Sequence, residues 1–186
     1  MTAEGFTLFD TPLGRCGISW GPAGVTGVQL PESSEAATRA RLLRRFPGLP
    51  ALAPPAQVQA AIEGIVALLS GEPRTFEAIA LDMTGVPPFH RRVYELARTI
   101  APGHTRSYGE LARLLGEPGA SRAVGQALGA NPFAPVVPCH RVLAAGQRPG
   151  GFSAAGGVAT KLRLLQIEGA RFGAEPGLFD APPPGA

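Results

Sequence analysis

The chain has 186 residues, 45% of them hydrophobic and 17% charged, enough to bury a core in one domain or two small ones. No apolar run approaches bilayer-spanning length, and the N-terminus lacks the basic region and apolar core of a signal peptide. Two cysteines suit a reducing cytosol rather than a disulfide framework, so a cytoplasmic protein without a membrane partner is expected. The net charge of +3 is unevenly spread: residues 1–85 carry 6 basic and 8 acidic groups, a balance of −2, whereas residues 86–171 carry 11 and 4, a balance of +7. Positive potential in the second half suits a polyanion such as DNA, although a solvated basic face would carry the same charge. No group of Cys and His has zinc-ligand spacing, and neither a metal nor a cofactor is expected.

In chain order, Phe6–Asp10, Arg15–Trp20 and Val25–Leu30 read as short strands joined by Thr-Pro-Leu-Gly and Gly-Pro-Ala-Gly turns. Cys16 falls within the second of them and reads as a small buried residue. Helical patterns follow at Ser34–Phe46 and Ala56–Leu69, separated by the proline-rich stretch 47–55, and Thr75–Leu81 reads as a further strand. Gly85-Val-Pro-Pro88 marks a linker. Beyond it, Phe89–Ile100 and Ser107–Leu115 read as helices, the second opened by a capping box in which Ser107 and Glu110 satisfy each other's free amides. Gly116-Glu-Pro-Gly119 turns the chain into a helix over Ser121–Gly129. Two short helices around a Gly-containing turn have the form of a helix-turn-helix, or of an ordinary helical hairpin. The second is slim, with Ala120, Ser121, Ala123, Gly125 and Gly129, and carries one projecting charge, Arg122. Such a helix can approach a nucleic-acid backbone closely. The end of the chain, with Pro182-Pro-Pro-Gly185, reads as disordered.

The chemistry concentrates at Pro138-Cys-His-Arg-Val142, with Asn131-Pro132 shortly before it. A cysteine beside a histidine presents one activated thiol, because the thiolate is the nucleophile and a base lowers the cost of reaching it. His90 and His104 have no partner pattern and read as surface residues.

Residues 88–169 resemble the C-terminal domain of the O6-alkylguanine-DNA alkyltransferases, the methylated-DNA–protein-cysteine methyltransferases. The resemblance rests on Pro88-Phe-His-Arg-Arg-Val-Tyr94, Pro102-Gly103, Ser107-Tyr-Gly-Glu-Leu-Ala112, Ser121-Arg-Ala-Val-Gly125, Asn131-Pro132, Pro138-Cys-His-Arg-Val142, Lys161-Leu-Arg-Leu-Leu165 and Glu168-Gly169. Residues 1–82 match more loosely, through Thr11-Pro-Leu-Gly14 and the strand pattern. The resemblance implies an α+β protein. A small ribonuclease H-like α/β domain (residues 1–84) with a short antiparallel sheet would precede a mainly helical, winged-helix-like domain (85–171) containing the helix-turn-helix. Residues 172–186 would form a disordered tail.

It also implies a DNA repair reaction. Cys139 would take the alkyl group from the O6 oxygen of guanine, with O4-methylthymine as a second substrate, once per molecule and irreversibly. His140 would draw off the thiol proton through a water, Glu168 would orient His140, and Asn131 would support the turn. The carbonyls of Cys139 and Val142 would receive the guanine amine, Phe152 would stack on the base, and the Ser153 amide would donate to O6. The duplex would be bound through its minor groove by a monomer, with the target base flipped out. Ala123 and Gly125 would lie along the backbone, Arg122 would fill the gap, and Tyr108 would crowd the rotating phosphate and donate to the leaving base. Arg141 reads as scaffold.

Two departures matter. Phe152 stands where many members have tyrosine, and the loop 150–157 is two residues longer before its Gly-Gly pair. Neither the metal-binding extension of the adaptive-response regulators nor the Cys-to-Trp change of the inactive relatives is present. The competing readings are a non-catalytic sensor of alkylated DNA and a Cys–His hydrolase, the latter without any accompanying oxyanion-hole pattern.

Overall fold

A computed structural model of the chain describes residues 2–171; the tail expected at 172–186 lies outside the described residues. The architecture is α+β. Strands β1 (Gly5–Thr11), β2 (Gly14–Gly21) and β3 (Gly24–Gln29) form an antiparallel meander in the order β1-β2-β3. On β2, Cys16, Ile18 and Trp20 point into the core. The alternate face carries Gly17, where an added Cβ would lie 3.0 Å from Leu42 of helix α1 (Glu35–Leu43). The period-2 alternation thus places a helix against each face: α1 on one, and α2 (Ala56–Leu69), with Val58, Ala61 and Ile65 fully buried, on the other.

The expected strand at Thr75–Leu81 does not form. Only a single bridge joins Val25 to Leu81, and Phe76–Ile79 is a turn. The carbonyls of Phe76, Glu77 and Ile79 are instead taken by the Arg98 guanidinium. A side chain twenty residues away satisfies the acceptors that a neighbouring strand would have met. The packing there fixes Gly24: at φ +125° its Cβ would lie 2.4 Å from the Ala80 carbonyl oxygen, so no other residue fits.

The second half is helical: α3 (Pro88–Arg98), α4 (Tyr108–Leu114), α5 (Ser121–Gly129) and α6 (Val158–Ile167). Both halves of the expected capping box are made, Ser107 Oγ accepting from the Glu110 amide at 3.2 Å and Glu110 accepting from the Ser107 amide at 2.6 Å. A short parallel pair, β4 (Arg106–Ser107) with β5 (Val142–Leu143), ties the start of α4 to the chain just after Cys139. That tie brings Tyr108 beside the cysteine. Tyr94 of α3 donates to the Ala127 carbonyl of α5 at 2.9 Å. The hydrophobic core runs without a break from the sheet through α2 to these helices, and the Val28 amide crosses to the Pro132 carbonyl at 2.8 Å. No helix of the described residues is long and apolar enough to cross a membrane.

Candidate active site

Cys139 opens a single 3-10 turn, Cys139–Arg141, held from the N-terminal side by Asn131. Asn131 Oδ1 accepts from the Phe133 amide and Nδ2 donates to the Val137 carbonyl, both at 2.9 Å. These two bonds close the loop that leads into the cysteine. Cys139 is 5% exposed and forms part of the wall of a cavity of about 650 Å³ beneath α5. Tyr108, Arg122, Gly125, Phe152 and Ser153 share that wall. Ala123 and Val142 do not line it. Val142 is fully buried, and its carbonyl accepts from Lys161 Nζ at 2.6 Å.

The two residues after the cysteine belong to a buried cluster of paired charges. His140 is fully buried, and its Nε2 lies 2.8 Å from Glu168 Oε1 at the end of α6. Arg141, 1% exposed, grips the same carboxylate through Nε and Nη2 and donates Nη1 to the Ile100 carbonyl at 2.5 Å. The Gly103 amide adds a further donor to Glu168 at 3.3 Å. His140 Nδ1, facing away from Glu168, has no hydrogen-bond partner among the described residues. Arg141 thus fixes the carboxylate that fixes the histidine.

The electrostatics follow from burial. Burial pushes the Cys139 thiol above its ordinary value, against the opposing effects of Asn131 and the Lys161 charge, so the resting group is a thiol and not a standing thiolate. Burial also pushes His140 down, outweighing Glu168, which leaves a neutral ring able to take a proton. For Glu168 burial works upward, yet hydrogen bonds from His140 and Arg141 outweigh it and bring the carboxyl from 4.5 to about 2. Burial raises Tyr108, and Cys139 raises it further once ionised, so the hydroxyl keeps its proton at neutral pH.

These shifts predict an acid limit. A depressed carboxyl contributes stability that is whole above pH 4.5 and is lost as pH falls through about 2. His140, held neutral, adds to the same acid loss below its ordinary 6.5. Urea unfolding at pH 6, 4 and 2 is expected to show this decline in the wild type and a shallower one below pH 4.5 in Glu168→Gln. Superimposable acid profiles would contradict the assignment.

Arg122 is exposed on α5 and, among the described residues, makes no hydrogen bond or ion pair. Phe152 is half-buried on the cavity wall, and the Ser153 carbonyl accepts from Arg41 Nη2 of α1 at 3.1 Å. Gly150 (φ +66°) passes so close to Tyr108 that a Cβ would meet its hydroxyl at 3.1 Å. His104 is exposed as expected, whereas His90 is half-buried, its ring 6.2 Å from that of Tyr94.

Lys161 is the residue whose place in the site the motif reading passed over. It is 1% exposed, donates to Val142 and Gly151 carbonyls, and stands 5.7 Å from the centre of the Tyr108 ring. Burial drives its ammonium from 10.5 to about 8, with the Cys139 charge opposing. The signal for it was compositional, since it is the only lysine among sixteen arginines.

Residues 88–170 match the family described as "6-O-methylguanine DNA methyltransferase, DNA binding domain". The methylated-DNA–protein-cysteine methyltransferase of Mycobacterium tuberculosis is 43% identical over 126 residues, covering 68% of this chain and 74% of that protein. The protein of the same name from Methanothermobacter thermautotrophicus is 34% identical over 158 residues, covering 85% and 81%. The crystal structure of Mycobacterium tuberculosis OGT in complex with DNA superposes with a TM-score of 0.70 at 34% identity, over 88% of this chain and 92% of that one. The O6-methylguanine-DNA methyltransferase of Pyrococcus kodakaraensis gives 0.67 at 26% identity, over 89% and 99%. With relatives of that name at 43% and 34% identity, each covered over more than two thirds of its length, the chain belongs to the methylated-DNA–protein-cysteine methyltransferase family.

Proposed function

We propose that this protein repairs DNA by transferring the methyl group of O6-methylguanine to its own Cys139. The observation that carries the reading is Cys139 on the wall of a cavity beneath α5 roomy enough for a base, with the adjacent His140 held by Glu168.

The target oxygen lies inside a duplex, so the nucleotide is extruded into the cavity first. The small residues of α5 let that helix lie along the minor groove, and Arg122 takes the space the base leaves. His140 accepts the thiol proton through a water at Nδ1, and Glu168 stabilises the imidazolium that forms. The sulfur–carbon bond forms as the carbon–O6 bond breaks. The guanine leaves with the bonding electron pair and is neutralised by a proton from Tyr108, which is restored from solvent. The methyl remains as a thioether, no step regenerates the thiol, and each molecule acts once. Larger O6-alkyl groups and O4-methylthymine are secondary substrates, their fit set by the Phe152 loop.

In this reading residues 85–171 are a winged-helix-like unit whose α4–α5 pair is the helix-turn-helix. Residues 1–84 are a ribonuclease H-like unit supporting it, and the protein works as a monomer in the cytoplasm. Two measurements test the reading. Labelled methyl incorporation from excess substrate is expected to saturate at one per protein; continued turnover would contradict it. Arg122→Ala is expected to slow transfer from duplex DNA by roughly 10²-fold or more, about 3 kcal/mol of transition-state stabilisation, and transfer from the free base far less. Equal slowing on both would remove the gap-filling role.

A further inference from the structure

A second cavity adjoins the first. It is about 280 Å³ in volume and lies between α1 and the end of α5, and it shares Gly129, Phe152 and Ser153 with the alkyl cavity. Three arginines line it, Arg41, Arg44 and Arg45, and no carboxylate does. Arg41 is already engaged, with Glu32 at 3.1 Å and the Ser153 carbonyl at 3.1 Å. Arg44 and Arg45 have no ion pair or side-chain hydrogen bond among the described residues. Both are exposed on the cleft, and Arg45 lies over the Phe46 ring, 5.9 Å from its centroid. Two guanidinium groups that line one cleft with no carboxylate in its wall are free to take an anion from outside.

The position selects the anion. A nucleotide rotated into the alkyl cavity carries one phosphodiester on each side of the mouth. Tyr108 lines the alkyl cavity but not this one, so the two clefts present different side chains to the strand. Resting on the repair reading above, we propose that Arg44 and Arg45 bind a backbone phosphate of the lesion strand beside the flipped nucleotide. Residues 1–84 then contribute directly to the DNA-binding surface, and α1 is part of the substrate site as well as a support for the sheet. The Arg41–Ser153 bond holds the shared wall in register with the phosphate cleft.

The test is the salt dependence of binding to a duplex carrying one O6-methylguanine, with the full chain. Each phosphate contact contributes about 0.9 to the slope of log affinity against log salt. Arg44→Ala/Arg45→Ala is expected to reduce that slope by about 1 to 2 and the affinity at low salt on the order of ten-fold. Arg44→Lys/Arg45→Lys is expected to restore the slope, since it keeps the charge. Arg74→Ala, on an arginine paired with Glu72, is the control and leaves the slope unchanged. An alanine double variant that melts with the wild type and keeps its slope would overturn the proposal, as would a lysine variant that does not restore it. Methyl transfer by the wild type is read separately. If no transfer occurs but the slope changes as described, the repair reading fails and the phosphate cleft stands.

Discussion

Cys139→Ala is expected to abolish methyl transfer, by more than about 10³-fold, while duplex binding remains. Nothing else in the chain can replace the thiol. Cys16 is fully buried in β2, and burial lifts its pKa to about 12. The binding surface proposed above, by contrast, uses α5, Arg122 and the cavity rim, none of which depends on the sulfur. The substitution also separates the competing readings. A damage sensor would be little altered by it, and a Cys–His hydrolase would lose multiple turnover that the wild type should never display. The wild-type thiol is expected to react slowly with iodoacetamide at neutral pH, because burial keeps it protonated until substrate is in place.

Glu168→Ala is expected to cost about 3 to 5 kcal/mol of stability, the largest loss at any single residue of the site. The carboxylate is the common acceptor for His140 and Arg141. Without it a permanently charged guanidinium, 1% exposed, is left without its counter-charge in the core. Glu168→Gln keeps the shape and part of the hydrogen bonding, so it isolates the chemistry. Its folded population at neutral pH is expected to be adequate for kinetics, while methyl transfer slows and the Cys139 thiol titrates higher. Chemical denaturation reads the first effect and a thiolate absorbance titration the second. An unchanged thiol titration in Glu168→Gln would take Glu168 out of the proton relay and leave it as scaffold alone.

The relay also shows which parts of the molecule were legible in sequence. Ser107 and Glu110 encode their capping box locally, so α4 and its N-terminus could be read from four residues, and the slim surface of α5 follows from its small side chains. Cys139, His140 and Asn131 sit within nine residues of one another. Glu168 is distant, and its pairing with His140 came only from the family resemblance. Thr75–Leu81 misled because its alternation is strand-like while its carbonyls are satisfied by Arg98, a contact with no local trace. Lys161 was hidden for a different reason. A lone lysine among sixteen arginines stands out in composition, but only the fold brings it under the Tyr108 ring against two carbonyls. The cleft of Arg44 and Arg45 depends on how α1 meets the end of α5, which no spacing within either helix records.

The central claim is that Cys139 itself accepts the alkyl group. The most direct measurement is intact-protein mass after mixing equimolar protein with a duplex containing one O6-methylguanine, followed by peptide mapping. A gain of one methyl, saturating at one per molecule and mapping to the peptide that carries Cys139, is the predicted result. Tight binding with no gain in mass, or a methyl group found elsewhere, would contradict it.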